Sequence, residues 1–297
     1  MALFSLMVSS PGRASLLPQL EPGWGVQRTM RSLAGKGPRK GEPVRILFYG
    51  LSITAQKWTD LVVAGLRKRY PKAQIEAKNL ALGGFASQLL VRTAEYDLYP
   101  FYPDLLIFHV YGADNTYEAL IKEVRRRTTA EILIQNDHVT SWPPSNLASA
   151  SKGEQWNEHM NGVFLPRIAK EYACGLADVR GGWFARLKEL SLDPKAFLSD
   201  DVHLNEKGEA LMAELVLRHL VLDPKLGIPQ SEGQVRDTKT SGKYGWKKGG
   251  IELSFEGNRV DLIPGKGPGG EIQVLIDGRK PSEFPEIYGP ERPSGTP

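Results

Sequence analysis

The chain of 297 residues contains one cysteine, Cys174. An intrachain disulfide is therefore excluded, and a packed core has to hold the fold. Cys174 stands in the apolar run "YACGLADV" and reads as a small buried side chain. No run of 18 apolar residues occurs, so no membrane-spanning helix is expected. The N-terminal "MALFSLMVSS" has a short apolar stretch with no basic residue before it, which makes a poor signal peptide and leaves localisation open. Charge of one sign is scarce too: 38 basic residues face 34 acidic ones, a net charge of +4. That balance is weak ground for a nucleic-acid partner. The densest basic run, "KEVRRR" at 122–127, falls at the end of a helical pattern, where cations complement the helix dipole. No glycine-rich phosphate loop follows the first strand, which argues against a nucleotide-binding flavodoxin-like protein. Asp137 and His138 adjoin each other, but no further residue supplies metal-ligand spacing, and no metal site is expected.

What is present is an ordinary globular composition, 41% hydrophobic and 24% charged, long enough for one large domain and part of a second. Residues 1–43 are rich in Pro, Gly and Arg and read as an arm or linker, with one short helix around "VQRTMRSLAG". From Val44 to about residue 225 strands and helices alternate. The strands are 44–49, 74–79, 104–110, 131–135 and 174–179. The helices follow at 57–70, 87–96, 116–127, 154–171, 182–190 and 205–220, the first with Trp58, Leu61, Val62 and Leu66 at helical spacing and the last with Asn205 as N-cap. Five strands joined by crossovers predict a three-layer α/β/α sandwich around a five-stranded parallel sheet. Residues 233–297 change character again, with alternating segments, Gly-rich turns and an Asp-Gly hairpin signal. They read as a β-rich appendage or a truncated β-sandwich module.

Sites in such sheets lie beyond the carboxyl ends of the strands. The residues there are Gly50-Leu51-Ser52 after the first strand, and Asn79 with Gly83-Gly84 after the second. Gly112, Asp114 and Asn115 follow the third, and Asn136, Asp137 and His138 the fourth. Asp200, Asp201 and His203 precede the last helix. Ser52 needs a base to become a nucleophile, and His203 can be that base. The imidazole needs an acceptor on its other nitrogen; Asp200, three residues earlier, fits, and Asp201 is the rival. An oxyanion needs donors: the amides of Ser52 and Gly84 and the side chain of Asn115 are the candidates. Gly84 also reads as a plain turn glycine, and His109, inside an apolar strand, as a core histidine. Asp114, Asp137, His138 and Trp142 are candidate substrate contacts, Trp142 because the rigid "WPP" loop would offer a flat face to a sugar. Trp183 reads as core.

These blocks resemble the SGNH subgroup of GDSL-type esterases and lipases. "YGLSIT" stands for the Gly-Asp-Ser block, Asn79 and Gly84 for the second, Gly112-Ala113-Asp114-Asn115 for Gly-x-Asn-Asp, and Asp200-Asp201-Val202-His203 for Asp-x-x-His. The resemblance covers about residues 44–221. It implies a flavodoxin-like SGNH hydrolase fold with Ser52, His203 and Asp200 as the catalytic triad and no cofactor. It further implies a small-molecule or polysaccharide ester as substrate, with acetyl esters of carbohydrates as the nearest class, and is compatible with secretion or a periplasmic place. Two departures stand out. Leu51 replaces the Asp of Gly-Asp-Ser, and Asp114 and Asn115 are swapped relative to the third block. Either Asn115 donates from a shifted loop, or Asn136 replaces it, or the site is impaired. The alternative is a non-catalytic carbohydrate-binding or scaffold protein that kept the fold.

Overall fold

The computed structural model describes residues 18–37, 41–226, 249–255, 260 and 271–284. The chain divides into two units, Met1–Gly245 and Trp246–Pro297.

The first unit is built on five strands: β1 (Val44–Gly50), β2 (Ile75–Asn79), β3 (Leu105–His109), β4 (Glu131–Gln135) and β5 (Gly175–Ala177). All pair in parallel, in the order β2-β1-β3-β4-β5. From β1 the chain goes to the edge strand β2 on one side and then crosses to β3, β4 and β5 on the other, so the loops after β1 and β3 flank the switch point. The central strands are continuous apolar runs because both faces are covered. The pleat then sorts the side chains. Ile46, Phe48, Leu105, Ile107 and Leu133 enter one core, and Leu47, Tyr49, Leu106, Phe108, Ile132 and Ile134 the other.

Helices α1 (Gln27–Leu33), α2 (Trp58–Arg69), α8 (Val179–Leu190) and α9 (Glu206–His219) close the first core. The second is closed by α3 (Ser87–Thr93), α4 (Leu98–Phe101), α5 (Asp114–Arg127) and α7 (Leu165–Glu171). α6 (Lys152–His159) contributes the partly buried Trp156 to it. The three-layer expectation is met, with differences at element ends. Leu61, counted in the apolar stripe of α2, faces solvent, and Val63 is buried in that helix. The single helix expected over 154–171 is interrupted by a π-helical turn, Met160–Phe164, between α6 and α7.

Within residues 18–37, expected to form part of an arm, the helix α1 packs into the core. Val26, Met30 and Leu33 recur at helical spacing and are buried with α2 and β1. Glu131 fixes this segment from β4, taking the Arg28 and Thr29 amides on its two carboxylate oxygens at 2.9 and 2.7 Å, at the N-terminus of α1.

In the second unit Asp277 and Gly278 both have positive φ, 49° and 79°, and Ile276 and Arg279 exchange two backbone hydrogen bonds around them. This is the two-residue turn that Asp-Gly favours. A 3-10 turn follows at Pro281–Glu283. Residues 251–255 and 271–275 form no strand ladder among the described residues. The remaining β expectation lies outside the described residues.

Candidate active site

The loop after β1 is constrained at every step. Gly50 admits no side chain: a Cβ there would lie 2.0 Å from the His109 carbonyl oxygen and 2.4 Å from Thr54 Oγ1. Thr54 is itself buried and donates to the same carbonyl at 3.3 Å. Trp58, fully buried, donates its indole N–H to the Ile53 carbonyl at 2.6 Å and meets Phe48 edge-on at 5.7 Å. Asn79 donates to the Thr54 carbonyl at 2.7 Å and to Thr59 Oγ1 at 3.1 Å. Thr54 thus holds the turn, and Ser52 is its half-buried polar member facing the rim.

The loop before α9 is held by hydrogen bonds more than by burial. Leu198 and Leu204 form an isolated antiparallel bridge, and Ser199 N–H donates to the His203 carbonyl at 2.8 Å. Asn205 caps α9 through the Gly208 amide at 3.0 Å and ties back to the Ala196 and Leu198 carbonyls. Asp200 takes three donors: the Val202 and His203 amides on Oδ1, each at 2.7 Å, and His203 Nδ1 on Oδ2 at 2.8 Å. These bonds, the His203 amide first, then Val202 and the imidazole, push the Asp200 carboxyl down to about 2. On the other side of the ring His203 Nε2 lies 2.9 Å from Ser52 Oγ. Ser52, His203 and Asp200, up to 151 residues apart in sequence, form one continuous chain of hydrogen bonds. The Asp200 carboxylate accepts the Nδ1–H, which leaves Nε2 unprotonated and able to accept from the serine hydroxyl.

Gly83 lies beside Ser52, since a Cβ on Gly83 would sit 3.8 Å from the serine Cβ. Gly84 has φ of +77°, and a Cβ there would meet nothing within 4 Å, so its backbone conformation, not crowding, calls for glycine. Among the described residues the N–H groups of Ser52 and Gly84 have no backbone acceptor. Asn115 sits in the first turn of α5, exposed, its Oδ1 taking the Thr116 amide at 2.9 Å. Asp114, at the same helix start, puts Oδ2 3.1 Å from His159 Nε2.

Other expected residues lie elsewhere. Asp201 is turned outward, its side chain 93% exposed and 3.8 Å from Lys195 Nζ. Asn136 is buried with both ends of its amide engaged, donating to Asp178 and accepting from the Arg180 amide. Asp137 and His138, named as substrate contacts, are inside the fold, their side chains 7% and 0% exposed. Their polar atoms bind one another, His109 and the Val202 carbonyl, so burial corrects that expectation. Trp142 is exposed and stacks on Phe184 at 5.9 Å. Trp183 and Cys174 are buried, as is His109. Among the described residues no three His, Cys, Asp or Glu side chains are grouped to hold a metal ion. No helix among them is long and apolar enough to cross a membrane.

Gln56 is a residue that sequence reading passed over. Its side-chain amide accepts from the Leu204 N–H at 3.0 Å and donates to the Leu204 carbonyl at 2.9 Å, bolting the serine loop to the histidine loop. No motif marks it, because both partners are backbone atoms. Beside it a depression of about 300 Å³ is lined by Ala55, Gln56, Lys57, Thr59, Asp60, Asn79 and Ala81. Ser52 and His203 are not in its walls.

The five-stranded parallel sheet flanked by helices is an α/β fold that matches solved structures of SGNH/GDSL-type esterases. Among solved structures the chain is similar to Axe2, an acetylxylan esterase from Geobacillus stearothermophilus, with a TM-score of 0.52 and 20% identity over 61% of this chain and 95% of that one. It is also similar to LAE5, an alpha/beta hydrolase enzyme from the metagenome of Lake Arreo, at a TM-score of 0.50 and 17% identity over 60% and 94% of the two chains. A protein of Parabacteroides merdae described as a GDSL-like lipase gives a TM-score of 0.50 and 17% identity, covering 60% and 95%. No family model matches the sequence, and neither does any curated protein.

Proposed function

We propose that this protein is a serine esterase that hydrolyses carboxylic esters, with acetyl esters of carbohydrates as its substrate class. The observation that carries the reading is the hydrogen-bonded chain from Asp200 through His203 to Ser52, at 2.8 and 2.9 Å. In this reading His203 Nε2 takes the Ser52 proton as Oγ attacks the ester carbonyl. Asp200 holds the ring in the Nδ1–H tautomer and stabilises the imidazolium that forms. The tetrahedral oxyanion is met by the Ser52 and Gly84 amides and by the Asn115 side chain. His203 then returns the proton to the departing alcohol, and water repeats the sequence on the acyl-enzyme. Asp114 would repel the oxyanion if it stood in the donor position; its carboxylate is engaged by His159 instead, which favours an enzyme over a binding protein that kept the fold. The acyl and sugar preference rests on fold likeness to Axe2, whose serine and histidine variants are described as catalytic mutants. Trp142 would supply a flat apolar face to a sugar ring.

The test is hydrolysis of p-nitrophenyl acetate by the wild type and by Ser52→Ala. The expected outcome is turnover by the wild type and a loss of about 10³-fold or more in the variant. Equal rates in the two folded proteins would overturn the assignment of Ser52.

A further inference from the structure

Away from the triad lies a buried Asp–His pair. Asp137 and His138 follow β4, and His138 Nδ1 is 2.8 Å from Asp137 Oδ1. The same oxygen is 3.2 Å from Nε2 of His109, the last residue of β3. The Asp137 amide donates to Asn161 Oδ1 at 2.7 Å, and Asn161 lies in the π-helical turn between α6 and α7. The Asn161 side-chain nitrogen is itself tied to Asn157. The outward end of the network is His138 Nε2, 2.8 Å from the carbonyl oxygen of Val202.

Val202 immediately precedes His203, so that carbonyl and the His203 N–H belong to one peptide unit. The N–H end is held by Asp200 Oδ1 at 2.7 Å and the C=O end by His138. Both poles of the peptide that carries His203 are therefore anchored. A donor pulling on its carbonyl also polarises its N–H toward Asp200.

The geometry favours a protonated His138. A carbonyl only accepts, so His138 Nε2 carries a proton toward Val202, and an ionised Asp137 accepts at Nδ1. Burial alone would raise Asp137 and lower His138. The charge of each on the other, with the hydrogen bonds from His109 and to Val202, reverses both directions. The other groups facing His138 are Arg180, 3.5 Å from its carbonyl oxygen and paired with Glu158, and the Trp183 ring at 5.5 Å.

We propose that Asp137 and His138 are positioning residues: a buried, charged brace that grips the Val202 carbonyl and so holds His203 in line between Asp200 and Ser52. The brace rests on the esterase reading for its purpose but not for its existence. It ties β3, β4, the π-helical turn and the histidine loop together, none of which touches substrate through these two side chains.

Two polar substitutions separate the contacts. In His138→Gln the amide nitrogen falls near the position of Nε2 and keeps the grip on Val202. In His138→Asn the side chain ends near the position of Nδ1, keeping Asp137 within reach and releasing Val202. Steady-state hydrolysis of p-nitrophenyl acetate should show kcat reduced about tenfold or more in the Asn variant with KM within about twofold, and kcat largely retained by Gln. Two-bond 1H–15N correlation of the imidazoles, which needs no activity, should show a single Nδ1–H tautomer for His203 in the wild type and in Gln, and mixed tautomers in Asn. An Asn variant that is folded, fully active and single-tautomer would overturn the brace. If neither variant folds, the wild-type spectrum decides: His138 protonated on both nitrogens at pH 7.5 supports the brace, and a neutral His138 contradicts it. Absence of hydrolysis in the wild type would defeat the esterase reading while leaving the tautomer comparison intact.

Discussion

Two of the Asp–His pairs in the molecule meet through Nδ1 at the same 2.8 Å, in opposite surroundings. Asp200 and His203 have side chains 57% and 39% exposed; those of Asp137 and His138 are 7% and 0% exposed. The exposed pair is held by backbone amides and leaves one imidazole nitrogen directed at a serine hydroxyl. The buried pair spends every contact inside the fold, on His109, on a carbonyl and on one another. Exposure therefore decides the role. A pair on the rim can exchange protons with a substrate, and a pair in the core can only fix geometry. Composition cannot distinguish the two, because Asp-x-x-His and Asp-His look alike as local polar clusters.

Substitutions that remove the carboxylates should separate activity from stability. Asp200→Asn keeps the hydrogen-bonding shape but favours the wrong tautomer, and kcat on p-nitrophenyl acetate should fall by about 10⁴-fold. Its urea midpoint should stay close to that of the wild type at neutral pH, because the pair is solvated. Asp137→Asn should do the reverse in kind. It leaves a buried cation uncompensated, and urea unfolding should report a loss of about 3–5 kcal/mol. Equal stability of the two variants would erase the distinction.

Asn115→Ala probes the rim alone. Loss of one oxyanion donor should lower kcat by about 10²–10³-fold without moving the urea midpoint. An unchanged kcat would remove Asn115 from the site and reopen the swapped Asp114-Asn115 order.

A third histidine extends the comparison to pH. His219 on α9 is buried, and its Nε2 accepts the Asp178 amide at 3.2 Å. Burial pushes it down to about 4. A histidine depressed in the folded state is neutral there, so its contribution is complete above the unfolded value near 6.5. It is lost as pH falls from about 6.5 to 4, a change worth about 3 kcal/mol. Asp200, depressed to about 2, adds to acid sensitivity only below the carboxylate's ordinary 3.8. Urea titrations at pH 7 and pH 4.5 should therefore show a loss that is smaller in His219→Gln. An equal loss in the variant would exclude His219 as its source.

The sheet was legible in the sequence because its central strands are continuous apolar runs between helical patterns, a signal that both-face burial imposes. That Ser52, Asp200 and His203 lie together was legible because parallel topology sends the strand ends to one rim, which the loop before α9 also reaches. The packing of α1 was obscured by its Pro- and Gly-rich surroundings, although Val26, Met30 and Leu33 keep the helical interval. Gln56 and His138 could not be read for what they hold. Each grips a backbone atom of the histidine loop, 148 and 64 residues away, and a carbonyl carries no residue-type signature. The π-helical turn was hidden for a related reason: the apolar interval continues through Met160 and Phe164, and only the hydrogen-bond register shifts.

The central claim is that Ser52 is an activated nucleophile. Its most direct test is intact-mass analysis after exposure to a fluorophosphonate, which phosphonylates such a serine whatever ester the protein prefers. The account predicts one adduct per chain, mapped to Ser52, and none in Ser52→Ala or His203→Ala. An unmodified wild type, or an adduct that persists in Ser52→Ala, would contradict it.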